Sequence, residues 1–260
     1  KLGTLELIAM SGTLTAGSVV MMWFGELVSE SGVGGGSSYL IMLGILSGIP
    51  GTIRSNFLTM DSVQKIVFGL ISLLLVTSVV FVTQAERRVK IQYSRRVRAG
   101  GAMESYIPIK PTQSGVMPVI FAMAFISFPQ LIGKFLVSKN YNQGLTDFTQ
   151  RILDWLSNPY IYNSLIFVLV IAFSFFYLTV VFKTDELAEN LQKQGAFIQG
   201  IRPGENTAEY LKKVSFRLTT IGAIFLAVLS ILPDVFIQIG LIPRSVYSGT
   251  GLLIVVGVIL

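Results

Sequence analysis

The sequence predicts an all-α protein, a polytopic bundle of transmembrane helices, on three observations. Only 13% of its 260 residues are charged and 52% are hydrophobic, about half the charge of an ordinary soluble domain. The charges leave seven uncharged runs between them: Leu7–Gly25, Ser31–Ile53, Ile66–Ala85, Pro111–Gly133, Trp155–Phe182, Leu218–Pro233 and Ser245–Leu260. The runs are continuously apolar, as in Leu70–Val82 and Leu165–Phe176, whereas barrel strands alternate with period two. Backbone in lipid must satisfy its own hydrogen bonds, which leaves helices. A helix needs about 20 apolar residues to cross about 30 Å of hydrocarbon. The first five runs, at 19, 23, 20, 23 and 28 residues, reach that length, and the last two, at 16 each, fall short of it.

Taken in order, the first run ends at Gly25, with Glu26 and Glu30 at its edge, and a glycine-rich turn over 28–37 leads to the second. Pro50, after Gly48, is expected to close the second run. A connection over 51–65 follows, in which Ser62 is read as the N-cap of the third helix. The fourth run carries Pro129 late in its length, and Pro233 is expected to close the sixth. The connection 134–160 is polar (Asn140, Asn142, Gly144, Asp147, Arg151, Asp154), with one short amphipathic turn around Phe148–Leu156. No soluble domain is expected. Lys1 at the start and an apolar run still open at Leu260 lead to the expectation of an internal piece of a longer chain.

Basic residues orient the bundle. Residues 85–112 carry Arg87, Arg88, Lys90, Arg95, Arg96, Arg98 and Lys110 against Glu86 and Glu104, a net of +5. Residues 183–217 carry six more basic residues, so these two segments hold 13 of the 20 Lys and Arg. They follow the third and fifth spans, two crossings apart, and the positive-inside rule makes their common side cytosolic. The turn at 28–37 is then cytosolic, and the connections near 51–65, 134–160 and 234–247 face outward. Segment 86–98 has three readings: a topology determinant, an attractor of anionic lipid or an RNA-docking tip. Gly200-Ile201-Arg202-Pro203-Gly204 brackets one arginine between breakers, an arrangement that holds it at a rigid loop tip as a partner contact.

Much chemistry is excluded from these residues. Without Cys or His they carry no thiolate nucleophile or metal site, no imidazole base and no Ser-His-Asp triad, so no catalytic residue and no metal or cofactor ligand is assigned. Gly32-Val33-Gly34-Gly35-Gly36 lacks the strand–glycine–helix context of a nucleotide site. Ser62-Val63-Gln64-Lys65 matches SxxK without its companion elements. The interiors of all seven runs lack Asp, Glu, Lys and Arg, which disfavours a coupled transporter with broken helices, the competing reading. Ser11, Gly12, Thr13, Thr15, Gly17 and Ser18, with Gly44, Ser47 and Gly48, are expected to pack helices closely. The alternative is that such a face lines an aqueous path.

Longer stretches are recognisable. Phe176-Tyr177, Ala188-Glu189-Asn190-Leu191, Gly195-Ala196-Phe197-Ile198, Gly200-Ile201-Arg202-Pro203-Gly204, Thr207-Ala208-Glu209-Tyr210 and Arg217-Leu218-Thr219 run collinearly. So do Leu14-Thr15-Ala16-Gly17, Met22-Trp23-Phe24-Gly25-Glu26, Gly115-Val116-Met117-Pro118 and Thr250-Gly251-Leu252-Leu253-Ile254. Together they resemble the SecY family of bacterial protein-conducting channels over essentially the whole chain.

The resemblance implies ten helices in two five-helix halves, of which this chain corresponds to helices four to ten, the last cut short. Residues 1–50 then hold the last two helices of the N-terminal half, 51–65 the external hinge, and 66–260 the C-terminal half with cytosolic loops 85–112 and 183–217. It implies a non-enzymatic pore subunit that passes unfolded secretory polypeptides and releases membrane segments sideways. An aliphatic pore ring falls on Ile41, Ile120 and Ile254, and a lateral-gate helix on Met117, Pro118, Phe121, Ala124 and Phe128. Loops carrying Arg95, Arg96 and Arg98, and Arg202, Pro203 and Gly204, would dock a ribosome, through its RNA and exit-site proteins, or a SecA motor. SecE-like and SecG-like subunits and membrane lipid complete the implied partners. The implied location is the bacterial plasma membrane, with a thylakoid membrane as the lesser alternative.

Overall fold

The computed structural model describes residues 4–32, 35–57, 60–93, 105–113, 115–139, 143–241 and 249–259. In chain order its elements are α1 (Thr4–Glu30), α2 (Gly36–Phe57), α3 (Ser62–Gln84), β1 (Arg87–Tyr93), β2 (Ser105–Ile109), α4 (Met117–Lys139) and α5 (Gln143–Ser157). There follow α6 (Pro159–Val181), α7 (Thr184–Lys193), β3 (Ala196–Ile198), α8 (Glu205–Gln238) and α9 (Gly249–Ile259). A helix lies on each of the seven apolar runs. Among the described residues five of them, α1, α3, α4, α6 and α8, are long and apolar enough to cross a membrane.

Those five are not the five whose run length alone qualified. The sixth run, short by itself, is the apolar part of the 34-residue α8, which starts thirteen residues earlier at Glu205. The second run spends its first residues on the turn after α1, and its apolar helix covers only Gly36–Gly48. The prolines also differ from expectation. Pro50 and Pro233 lie inside α2 and α8 instead of ending them, and Pro129 lies within α4. A proline removes one N–H, and neighbouring helices in a membrane bundle accommodate the freed carbonyl. Residues 51–65 accordingly include the end of α2 and the start of α3.

The chain divides into two compact units, Lys1–Asp61 and Ser62–Val258. The first is the α1–α2 pair. Its close approach is at Gly25 and Gly36, where a Cβ on Gly36 would fall on the Gly25 carbonyl. The Ser29 hydroxyl stitches the joint, accepting from the Gly36 N–H at 2.8 Å and donating to the Gly25 carbonyl at 2.9 Å. The close packing expected of the small residues of α1 is not realised among the described residues. Gly12 and Gly17 face open space. The Ser11, Thr13, Thr15 and Ser18 hydroxyls donate to carbonyls three or four residues back, which satisfies them without a neighbouring helix.

In the second unit α8 is central, packed along α6, while α4 lies against α6. The buried face of α6 is Asn163, Ile166, Val170, Ser174 and Leu178, at helical spacing. α8 buries a wider stripe that includes Leu211, Thr219, Gly222, Leu226 and Ser230, as a helix with neighbours on several sides must.

The two basic loops contain strands that the sequence reading did not assign. β1 pairs antiparallel with β2 (Arg87 opposite Ile109) and with β3 (Ile91 opposite Ile198), giving the order β2-β1-β3. Val89, Ile91, Ile109, Leu191, Ala196, Ile198, Leu211 and Val214 form one hydrophobic core beneath the sheet. The two basic segments therefore meet in a single small body that includes α7 and the start of α8. Between α4 and α6 the expected short turn is the 15-residue helix α5. Its Leu153 packs on Gly133 of α4, where an added Cβ would come within 2.9 Å of Leu153 Cδ2.

Candidate functional site

α4 carries most of the sequence-predicted wall. Its positions sort by face, as a helix with 3.6 residues per turn requires. Val119, Ala122 and Ile126 are 0, 0 and 2% exposed and form the packed face. Phe121, Ala124, Phe125 and Phe128 lie on the opposite, exposed face. Pro118 is fully buried and Met117 half-buried at the helix start. The predicted gate residues thus divide: Phe121, Ala124 and Phe128 share one open apolar stripe, and Pro118 is a packing residue.

The stripe has an aromatic border that sequence reasoning missed. Phe121 sits 5.4 Å from Tyr177 and 6.1 Å from Phe173, ring centre to ring centre, and Phe125 is 6.1 Å from Phe173. The sequence signal was the aromatic spacing on α6, Phe173, Phe176 and Tyr177, matched by Phe121 and Phe125 on α4. Edge-on and tilted pairs of this kind contribute about 0.5–1.5 kcal/mol each beyond area burial, and here they fasten the flank of an otherwise open helix.

The three isoleucines differ in environment. Ile41 on α2 is 38% exposed, Ile120 on α4 is half-buried, and Ile254 on α9 is 7% exposed. α9 reaches the residue just before α4 through Gly257, where a Cβ would fall on Val116 Cγ1. Ile120 and Ile254 belong to one unit and Ile41 to the other.

The basic surface is built on the sheet. β1 alternates Val89 and Ile91 inward with Arg88 and Lys90 outward, a period-two signal present in the sequence. Arg88 donates from Nε to Glu86 at 2.7 Å and lies 4.7 Å over the Tyr106 ring. That hydrogen bond, with the nearby charge, raises the guanidinium further above its ordinary value. Arg95, Arg96 and Arg98 lie outside the described residues. Arg202 and Pro203 are exposed. Gly200 and Gly204 flank them with φ of +83° and +100°, a region that favours glycine. The buried Thr207 hydroxyl donates to the Arg202 carbonyl at 3.0 Å. The arginine therefore projects from a pinned turn.

At the opposite ends of α6 and α8, Asp234 was read as lying beyond the sixth run, but it is inside α8, lining a cavity with Asn163 and Gln130. Among the described residues no cluster of metal-ligating side chains occurs.

The SecY family model matches residues 2–260. The chain belongs to the SecY family. Among similar proteins, the protein translocase subunit SecY of Mycobacterium leprae is 38% identical over 97% of this chain. That of Bacillus subtilis is 39% identical over 100% of it, and that of Corynebacterium glutamicum 40% over 98%. The match covers 60, 62 and 60% of those three proteins, so the chain spans about three fifths of their length. Two solved structures share the fold. One is a SecY protein studied for its plug domain (TM-score 0.65, 20% identity, 94% of this chain and 61% of that one). The other is a protein-conducting channel (TM-score 0.64, 18% identity, the same coverage). The SecY resemblance read from the sequence is borne out, and so is the helical membrane-bundle class. A SecY-family chain with five such helices is a multi-pass membrane protein.

Proposed function

We propose that the chain supplies part of the wall of a SecY protein-conducting channel in the bacterial plasma membrane, through which unfolded secretory polypeptides cross and from which apolar segments leave sideways. The observation that carries this is the two-faced α4: a packed face of Val119, Ala122 and Ile126 behind an open apolar stripe of Phe121, Ala124 and Phe128. An exposed apolar face of that length, held along one flank by the rings of Phe173 and Tyr177, suits a surface met in turn by hydrophobic segments and lipid. Ile41, Ile120 and Ile254 are assigned to the constriction, since branched aliphatic side chains offer water no hydrogen bonds and dewet a narrow neck. Residues 51–65 are assigned to the hinge between halves 1–50 and 66–260. The channel performs no bond chemistry. Direction comes from a partner, a ribosome or a SecA motor, docking on the basic sheet body with its Arg202 turn. SecE-like and SecG-like subunits brace the bundle. A coupled transporter is not favoured, because the interiors of the apolar runs carry no ionisable residue.

Site-specific photocrosslinking in the full-length protein tests this. A photoreactive residue at Ala124 or Phe128 is expected to capture an apolar signal segment during translocation, and one at Ala122 or Ile126 is not. Equal capture from both faces, or from neither, would refute the assignment.

A further inference from the structure

The helix α5, which the channel reading leaves without a role, has three distinct sides. From Thr146 onward its residues sort by angle, each about 100° round the axis from the last. Thr146, Thr149, Leu153 and Leu156 are buried or half-buried and form the inward side, where Leu153 rests on Gly133 of α4. Asp147, Gln150, Arg151, Asp154 and Ser157 are exposed and polar. Phe148, Ile152 and Trp155, at positions i, i+4 and i+7, are apolar yet 64, 41 and 58% exposed. Each side takes about a third of the circumference. In water alone the apolar side would be wasted, and in hydrocarbon alone the polar side would be costly. A helix at the rim of a bundle, where hydrocarbon meets water, has a use for all three: protein, water and lipid.

The connections of α5 put it at that level. Only Asn158 separates it from α6, which is apolar and long enough to span a membrane from Pro159 onward. The Asn158 side chain accepts from the Tyr160 N–H at 3.1 Å and Pro159 opens the helix, a firm start for α6. Trp155 precedes this junction and Tyr160, 76% exposed, follows it. Such rings gather where hydrocarbon gives way to headgroups. Beyond Tyr160 the exposed stripe of α6 continues through Ser164, Val168, Ala172 and Phe176 at a spacing of four, so the apolar side of α5 begins where the outer surface of a spanning helix ends. Its polar side carries Asp147 and Asp154 against Arg151, a net of −1, and does not attract anionic headgroups. We propose that α5 is an interfacial helix at the end of the bundle away from the sheet body, with Phe148, Ile152 and Trp155 set into the bilayer by apolar contact alone. The proposal rests on α4 and α6 crossing the membrane and is independent of the channel reading.

Spin-label accessibility in the full-length protein, reconstituted in nanodiscs, tests this. These 260 residues contain no cysteine, so single labels can be placed after any cysteine elsewhere in the protein is replaced by serine. Phe148→Cys, Ile152→Cys and Trp155→Cys report the apolar side, and Asp147→Cys, Gln150→Cys and Asp154→Cys the polar side. All six positions are exposed, so none of the variants disturbs the packed face. Collision with oxygen, which concentrates in hydrocarbon, is compared with collision with a water-soluble nickel chelate. The oxygen-to-nickel ratio is expected to be severalfold higher at the first three positions, at a depth of about 5–10 Å into the headgroup and acyl boundary. It should be the same in nanodiscs of phosphatidylcholine alone and in nanodiscs containing phosphatidylglycerol. A ratio on the apolar side equal to that at Asp147 would place the stripe in water and overturn the proposal. Immobilised labels there, shielded from both oxygen and nickel, would show that a protein covers the stripe and would overturn it too. Insertion only when phosphatidylglycerol is present would overturn the purely apolar attachment.

Discussion

Gly222 of α8 lies against the main chain of Pro111, and a Cβ at that glycine would fall on the Pro111 carbonyl oxygen. The contact joins the central helix to the residue that leads from β2 toward α4, so it ties the sheet body to the membrane bundle through backbone alone. Gly222→Ala is expected to destabilise the full-length protein by about 1–3 kcal/mol, the usual range for overpacking a tight site. Gly69→Ala in α3 is the control. It meets nothing within 4 Å, and replacing a helical glycine there should stabilise by about 0.5–1 kcal/mol. Thermal unfolding in detergent, followed by intrinsic fluorescence, should shift in opposite directions for the two variants.

A second joint depends on one hydroxyl. Ser29 satisfies the first N–H of α2 from seven residues upstream, with its proton on the Gly25 carbonyl. Ser29→Ala removes both bonds and should cost about 1 kcal/mol, as losing a helix cap does. Ser29→Thr retains the hydroxyl and should recover most of it. Amide exchange at the start of α2 checks this. It is expected to speed up in the alanine variant, and unchanged exchange would show that water replaces the serine.

How far these features were legible depends on the range over which they are determined. The seven apolar runs were visible because lipid imposes a length and a composition that no neighbour can override. The roles of Ile41, Ile120, Ile254 and the α4 residues came only from the resemblance and stand as proposals. Pro50 and Pro233 were read as closing their runs, since an isolated helix stops at proline, whereas in the bundle both helices continue. The small residues of α1 were read as a packing face, but their hydroxyls close on their own helix. The sheet was missed even though Val89-Lys90-Ile91 alternates in sequence, because β1 acquires its partners from residues 105–109 and 196–198. Asp234 looked external because the run was counted only to Pro233, while the helix continues to Gln238.

The isoleucines allow stability and sealing to be separated. Ile254 is nearly buried and Ile41 is over a third exposed. If the proposed constriction holds, Ile254→Asn in the full-length protein should therefore raise resting ion conductance and also destabilise by about 1–3 kcal/mol, the cost of an unsatisfied buried amide. Ile41→Asn should raise conductance with little change in unfolding. Planar-bilayer recordings beside thermal melts distinguish the cases. Unchanged conductance in both variants would remove these two positions from the constriction.

The Arg202 turn separates charge from pose. Arg202→Glu reverses an exposed charge and should leave the melting temperature unaltered while weakening partner docking, more at low salt than at high salt, as screening of surface charges requires. Thr207→Val retains the arginine but removes the hydroxyl that holds its carbonyl at 3.0 Å. It should lower affinity by a smaller factor that salt does not change, because what is lost is the fixed direction of the guanidinium and not its charge. Gly204→Ala forces a side chain onto a residue with φ of +100°, which costs on the order of 1–3 kcal/mol, and should resemble Thr207→Val in docking while also loosening the start of α8. Binding of purified SecA and of ribosomes to the reconstituted full-length protein, each measured across a salt series, identifies the partner that depends on this turn. If both bind the Arg202→Glu variant as well as the unaltered protein at every salt concentration, the turn is not a docking element.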